Sequence, residues 1–130
     1  MVMEKTPNLT VDAVIIEDDR IVLVKRKNPP FKGMWALPGG FVDYGEVVED
    51  AVQREAREET GLDVEVSRLS GVYSNPRRDP RGHTVSIVFV CRRVGGVLKA
   101  SSDAADVGWF PLDDLPDLAF DHRTIIDEAI

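Results

Sequence analysis

The sequence predicts an α/β sandwich of the α+β type, with helices packed against a central mixed β-sheet. Three observations carry that prediction. The run TVSIVFVCRRV, residues 84–94, is apolar enough to lie centrally in a sheet. Residues from about Val47 to Thr60 contain no Pro or Gly, are rich in Glu, Ala, Arg and Val, and stop at Gly61, a residue suited to the position just past a helix C-terminus. Strand-like stretches flank that helix and a further helix closes the chain, an order that layers helices on a sheet.

Residues 1–10 are polar and are expected to fray. From Val11, the text VDAVIIEDDRIVLVKRK is two short apolar runs split by Asp18-Asp19-Arg20, which predicts a hairpin. NPPFKGMWALPGG is dense in Pro and Gly and predicts a loop with a short buried piece at Met34 to Leu37. Gly39-Gly40 marks a turn, and the loop FVDYGE leads into the helix. After Gly61, DVEVSRLSGVYS alternates as a strand does, and NPRRDPRGH is a turn-rich loop with two prolines. Gly95-Gly96 then predicts a turn, VLKA a short partner strand and DVGWF another strand, and Asp121 is placed to cap a last helix running to Ile130. No internal repeat or low-complexity segment interrupts this order.

With 130 residues the chain suits one domain, residues 1–130, and two would leave each half short of a core. Sixteen Lys plus Arg against 23 Asp plus Glu give a net charge of −7, which argues against nucleic-acid or anionic-membrane partners. Such a protein can still bind phosphate compounds if it recruits cations or concentrates arginines locally. One cysteine makes no internal disulfide and no zinc site by itself. No apolar run has the length of a membrane span and no signal-peptide pattern opens the chain, so the expectation is a soluble cytoplasmic protein.

The helix carries misplaced charges. At about 100° per residue, Glu55 and Glu59 fall within about 20° of Val48, in the middle of the apolar stripe that Ala51, Val52 and Ala56 also define. Two carboxylates at i and i+4 repel each other, and burying either is costly. A hard divalent cation with oxygen ligands resolves both problems. Arg54 can pair with Asp50 and Glu58, each four residues away, in a ladder; the plainer reading of all these groups is solvated helix charge.

Gly40, Glu46, the triplet Arg54-Glu55-Ala56, the pair Glu58-Glu59 and Gly61-Leu62 together resemble the Nudix box, with the small Ala56 as the one mild departure. The flanking WALPGGFVDYGE and WFPLDDLP are also similar to that superfamily. The resemblance implies an α/β/α sandwich in which the box forms a loop–helix–loop. It implies hydrolysis of a nucleoside diphosphate linked to another moiety, with Mg²⁺, or Mn²⁺ in its place. It further implies that Glu55 and Glu59 bind metal, that Glu58 and the Gly39 carbonyl assist, and that Arg54 and Glu46 orient the acidic cluster. The general base is expected from the loop SSDAADVGWF, with Asp103 and Asp106 as candidates and Glu55 as a third.

Pro76, fifteen residues after Gly61, and the segments SNPRRDPRGHTVSIVF and LAFDHRTII resemble the short microbial ADP-ribose pyrophosphatases. Arg26, Arg77, Arg78 and Arg81, with Gly40, are candidates for holding phosphate. Phe31, Trp35 and Tyr73 are candidates for stacking on adenine, against a packing role for each. His83 and His122 lack metal-site spacing and are read as structural, and Cys91 as a buried small hydrophobe. The expected partner is a small-molecule nucleoside diphosphate, and a homodimer is compatible with the sequence. Two alternatives remain: a Nudix hydrolase of nucleoside triphosphates or dinucleoside polyphosphates, and a non-catalytic nucleotide-sugar-sensing module.

Overall fold

The apolar runs of the chain become strands of one mixed sheet, with a helix on each face. A computed structural model describes residues 5–130. The strands are β1 (Asn8–Glu17), β2 (Arg20–Arg26), β3 (Trp35–Ala36), β4 (Gly39–Phe41), β5 (Leu62–Tyr73), β6 (Thr84–Gly96) and β7 (Ala104–Pro111). The helices are α1 (Val48–Thr60) and α2 (His122–Ala129). The order across the sheet is β3-β2-β1-β6-β5, with β4 added to β1 and β7 to β2. β1 and β6 run parallel, and the other pairs are antiparallel.

β1 is buried on both faces. Val11, Ala13 and Ile15 pack with Ala51, Val52 and Ala56 of α1, whereas Val14 packs with Ile125, Ile126 and Ala129 of α2. Fully burying a Val, Leu or Ile side chain contributes about 1.5–3 kcal/mol each, so the centre of the sheet is the most strongly held part of the fold. The turn from β1 to β2 places Asp18 and Asp19 at φ 52° and 59°, the left-handed pair that a two-residue hairpin with right-handed twist demands. Beyond that turn the two strands diverge. β1 pairs with β2 only at Ile16 and Glu17, and its residues Thr10 to Asp12 pair with β4 instead. A cleft opens where they part, lined by Thr10 and Asp12 from β1 and by Val24 to Arg26 from β2.

The hairpin, the buried piece near Trp35, both helices and the strands β5, β6 and β7 match the sequence reading, and four details differ. β1 begins at Asn8 because Asn8 to Thr10 pair with β6; residues 1–4 of the segment expected to fray lie outside the described residues. Gly39 and Gly40 form β4 rather than a turn, since they pair with Asp12 and Val11. Gly95 and Gly96 extend β6 opposite Asp63 and Leu62. VLKA forms no strand: the Lys99 N–H donates to the Thr60 carbonyl at 2.8 Å, so the segment folds back on the end of α1. Among the described residues, no helix is long and apolar enough to cross a membrane.

Gly61 ends α1 at φ 76°, and a Cβ there would stand 2.3 Å from the Val97 carbonyl oxygen. Replacing it with Ala therefore adds left-handed strain and a backbone clash. Gly61→Ala is expected to lower the unfolding free energy by more than about 1 kcal/mol. Urea unfolding measures this, and an unchanged midpoint would contradict it.

Candidate active site

α1 turns Ala51, Val52 and Ala56 into the core and leaves Glu55 and Glu59 at the margin of the same face, against β4. Glycine at both β4 positions makes that approach feasible. A Cβ on Gly40 would stand 2.5 Å from the Glu55 carboxyl carbon, and one on Gly39 would stand 2.2 Å from the Val11 carbonyl oxygen. The Gly39 N–H donates to Glu59 Oε1 at 2.9 Å. Burial pushes the Glu59 carboxyl up to about 8, with the neighbouring Glu55 and Asp12 charges adding to it and the Gly39 N–H opposing. Glu55 is raised in the same way, opposed by Arg54.

Arg54 organises the rest. Its Nε and Nη2 donate to both oxygens of Glu46 at 2.7 and 2.9 Å, a two-point pairing that ties the FVDYGE loop to the helix. Nη1 donates to Glu55 at 2.8 Å and to Glu58 at 3.2 Å, and Nη2 also reaches the Phe41 carbonyl at 3.1 Å. The hydrogen bonds from Arg54 hold the Glu46 carboxyl down at about 2. The expected pairing of Arg54 with Asp50 does not form, because Glu46 occupies the guanidinium edge that such a ladder would use.

Two adjoining hollows share this wall. Glu55, Glu58, Glu59, Gly39, Gly40 and Asp103 line an acidic pocket. Gly39, Gly40, Glu59 and Asp103 also line an adjoining cleft, of about 330 Å³. Arg26, Arg78 and Arg81 line the same cleft. Arg78 is fully paired with Asp121 at 2.9 and 2.7 Å, and Arg81 with Asp79 at 3.0 and 2.8 Å. Arg26 has no carboxylate partner among the described residues; its Nε donates to the Pro30 carbonyl at 2.7 Å and its guanidinium lies over the Phe120 ring. Arg26 is thus the cleft guanidinium freest to meet a phosphate.

Oxygen donors only, from Glu55, Glu58 and Glu59 with the Gly39 carbonyl, suit a hard divalent cation. The carboxylates are not yet gathered on one point, since Glu55 and Glu58 turn to Arg54 and Glu59 to Gly39. A cation at this position would offset the burial and the like charges that raise the Glu59 carboxyl.

Several candidates fall elsewhere. Trp35 packs edge-on against Phe110, ring centroids 4.6 Å apart, on the α2 side of the sheet, because β3 points it into that core. Arg77 lies exposed in the loop, where its backbone N–H donates to Asn75 Oδ1, and does not line the cleft. Asp106 is paired opposite Lys25 within β7 and accepts the Val107 N–H, outside both hollows. Tyr73 donates to Glu128 at 2.6 Å, and Phe31 packs on Phe120. Asp121 caps α2 with no side-chain bond, its carboxylate being held by Arg78. His83 contacts the Ser74 carbonyl and Cys91 is buried, as structural residues would be. The sequence reading missed Asp12, Phe120 and the cleft-lining position of His122. Asp12 was signalled by its place as a charge inside the apolar run VDAVII.

The chain matches the family model described as NUDIX domain over residues 6–129. It is 57% identical over 122 residues to a protein named ADP-ribose pyrophosphatase from Methanocaldococcus jannaschii, covering 94% of this chain and 72% of that protein. Among solved structures, it is 35% identical to the NUDIX domain of Shewanella oneidensis NrtR complexed with ADP ribose, at a TM-score of 0.85, covering 96% of this chain and 87% of that one. A bifunctional NMN adenylyltransferase/ADP ribose pyrophosphatase from Francisella tularensis, complexed with AMP and a Mn ion, is 33% identical at a TM-score of 0.84, covering 95% of this chain and 41% of that one.

The raised Glu59 carboxyl makes a stability prediction. Between its ordinary value of 4.5 and about 8, the folded protein holds a proton that the unfolded chain has lost. Stability from this group is therefore lost as pH rises through that window. In EDTA, the unfolding temperature of Glu59→Gln is expected to gain on wild type steadily from about pH 5 to about pH 8. Thermal scans of both proteins across that range check it, and a constant difference would contradict it.

Proposed function

The chain belongs to the NUDIX domain family, and we propose that it is a divalent-cation-dependent hydrolase splitting ADP-ribose into AMP and ribose 5-phosphate. The observation that carries this reading is the shared wall: Gly39, Gly40, Glu59 and Asp103 line both the acidic pocket and the cleft that bears Arg26. A diphosphate lying along the cleft would meet both a free guanidinium and the glutamate cluster. The names of the Methanocaldococcus and Shewanella proteins support ADP-ribose as the compound that lies there.

Glu55, Glu58 and Glu59, with the Gly39 carbonyl, would hold the cation, Mg²⁺ with Mn²⁺ able to substitute, which when bound neutralises the diphosphate and makes water more acidic. Arg54, held by Glu46, keeps Glu55 and Glu58 in place, while the Gly39 N–H holds Glu59. Arg26 binds phosphate oxygens. Asp103 accepts the proton of the attacking water at its carboxylate. The water oxygen bonds to one phosphorus as the bridging P–O bond breaks, and the leaving phosphate keeps the electron pair. Glu55 would already hold the cation, and a ligated carboxylate accepts a proton poorly, so the base in this reading is Asp103.

A second reading is favoured by the likeness to the NrtR domain: this chain binds ADP-ribose without cleaving it. Product analysis separates the two. With Mg²⁺, AMP and ribose 5-phosphate are expected, with kcat/KM at least about tenfold above any nucleoside triphosphate. Activity is expected to vanish in EDTA and nearly vanish in Glu59→Gln with its fold retained, and turnover in either case would overturn the cation-dependent reading. Asp103→Asn is expected to lower kcat by at least about 10²-fold with little change in KM, and Asp106→Asn to do less. Steady-state kinetics at saturating cation decide the base: an Asp103→Asn enzyme within a few-fold of wild type moves the role to Glu55.

A further inference from the structure

The reaction outlined above leaves two buried polar groups at the floor of the cleft without a task. Asp12 is 7% exposed and His122 is 5% exposed, and both line the cleft. A carboxylate in the middle of a buried strand is costly unless its oxygens are bonded. Only one is: the Ser86 hydroxyl donates to Asp12 Oδ2. Oδ1 has no donor within hydrogen-bond distance among the described residues, yet it is not sealed from the cleft. Gly39 makes room for it, since a Cβ there would stand 2.4 Å from Oδ1.

His122 is equally constrained. The Leu37 N–H donates to its Nδ1 at 3.0 Å. A ring nitrogen that accepts a hydrogen bond carries no proton, so the neutral imidazole has its proton on Nε2. Burial lowers the ring's pKa, which keeps it neutral. Nε2 lies 4.0 Å from Asp12 Oδ1, beyond direct hydrogen-bond distance. The floor therefore presents one N–H donor and one carboxylate acceptor side by side, each fixed by β1 or by the link to Leu37.

We propose that Asp12 and His122 read the edge of the substrate's base and select adenine. Adenine's exocyclic amine donates and its adjacent ring nitrogen accepts, which complements Asp12 and His122 in turn. A 6-oxopurine reverses both groups, setting its carbonyl against the carboxylate and its ring N–H against the His122 N–H. The walls beside the floor are planar: the Phe120 ring lies 5.4 Å from the His122 ring, and the Arg26 and Arg81 guanidiniums lie over Phe120 at 5.0 and 5.4 Å. Flat surfaces suit a flat base better than a ribose. The inference rests on the reading of the substrate as a nucleoside diphosphate compound and names the residues that choose its base.

The test compares ADP-ribose with IDP-ribose, which differ only along that edge, for wild type and Asp12→Asn with Mg²⁺. Wild type is expected to favour ADP-ribose in kcat/KM by at least about tenfold, because a site built around hydrogen bonds rejects a ligand that leaves them unpaired. Asn offers an amide donor as well as an acceptor, so Asp12→Asn is expected to shrink that preference by at least about tenfold, losing on ADP-ribose and not on IDP-ribose. A wild-type ratio near one, or equal losses on both substrates, would overturn the proposal. So would a ratio near one joined to loss of turnover on a 2′- or 3′-deoxyadenosine analogue, which would give the pair to a ribose hydroxyl. Titrating AMP and IMP into wild type reads the same floor without turnover. Tighter AMP binding with no hydrolysis of either diphosphate would therefore keep this inference while overturning the proposed reaction.

Discussion

The two-point pairing of Arg54 with Glu46 is the interaction on which the rest of the site depends. One guanidinium joins the loop before α1 to the helix, and with its remaining N–H groups it restrains Glu55, Glu58 and the Phe41 carbonyl. Without that charge, four carboxylates within two turns of helix and one loop would repel each other and the loop would lose its anchor. The pairing also decides which acid is left alone. Glu59 is beyond Arg54's bonds, buried, and held only by a backbone N–H, so its charge is the least compensated of the cluster.

The sheet supplies the second half of the arrangement. Because β1 exchanges its partner from β2 to β4 along its length, the sheet splits there, and the split is the cleft. Both faces of β1 are covered, so a polar residue on that strand must either be paired or face the opening. Thr10 and Asp12 face it. The fold therefore brings an acidic helix, a free arginine and a polar floor to one opening, although they come from distant parts of the chain.

The acidic half of this site was legible in the sequence because it is local. Glu46, Arg54, Glu55, Glu58 and Glu59 lie within one loop and one helix, where periodicity alone shows that two carboxylates share the apolar stripe. The other half is built across long separations, and single-residue signals misplaced part of it. Trp35 and Arg77 had the right chemistry for substrate contact, but β3 turns one into the core and the loop leaves the other in solvent. Gly39-Gly40 and Gly95-Gly96 resembled turns because glycine pairs usually are. Both are strand residues whose missing side chains allow close approach of a carboxylate or a carbonyl, a requirement visible only once the neighbouring chain is in place.

The segment before α2 returns to the front of the molecule: Leu118 bridges Trp35, the Ala119 N–H donates to the Trp35 carbonyl at 2.8 Å, and His122 receives the Leu37 N–H. These contacts brace the backbone just ahead of Gly39 with residues far along the chain, Leu37 and His122 being 85 positions apart. During translation the Arg54 pairings, which span at most eight residues to Glu46, Glu55 and Glu58, have all their partners early, while the floor of the cleft stays unfinished until the His122 region has emerged. Order of synthesis thus separates the two halves of the site in time. A nascent or C-terminally clipped chain would carry the glutamate cluster without the pocket that delivers a substrate to it.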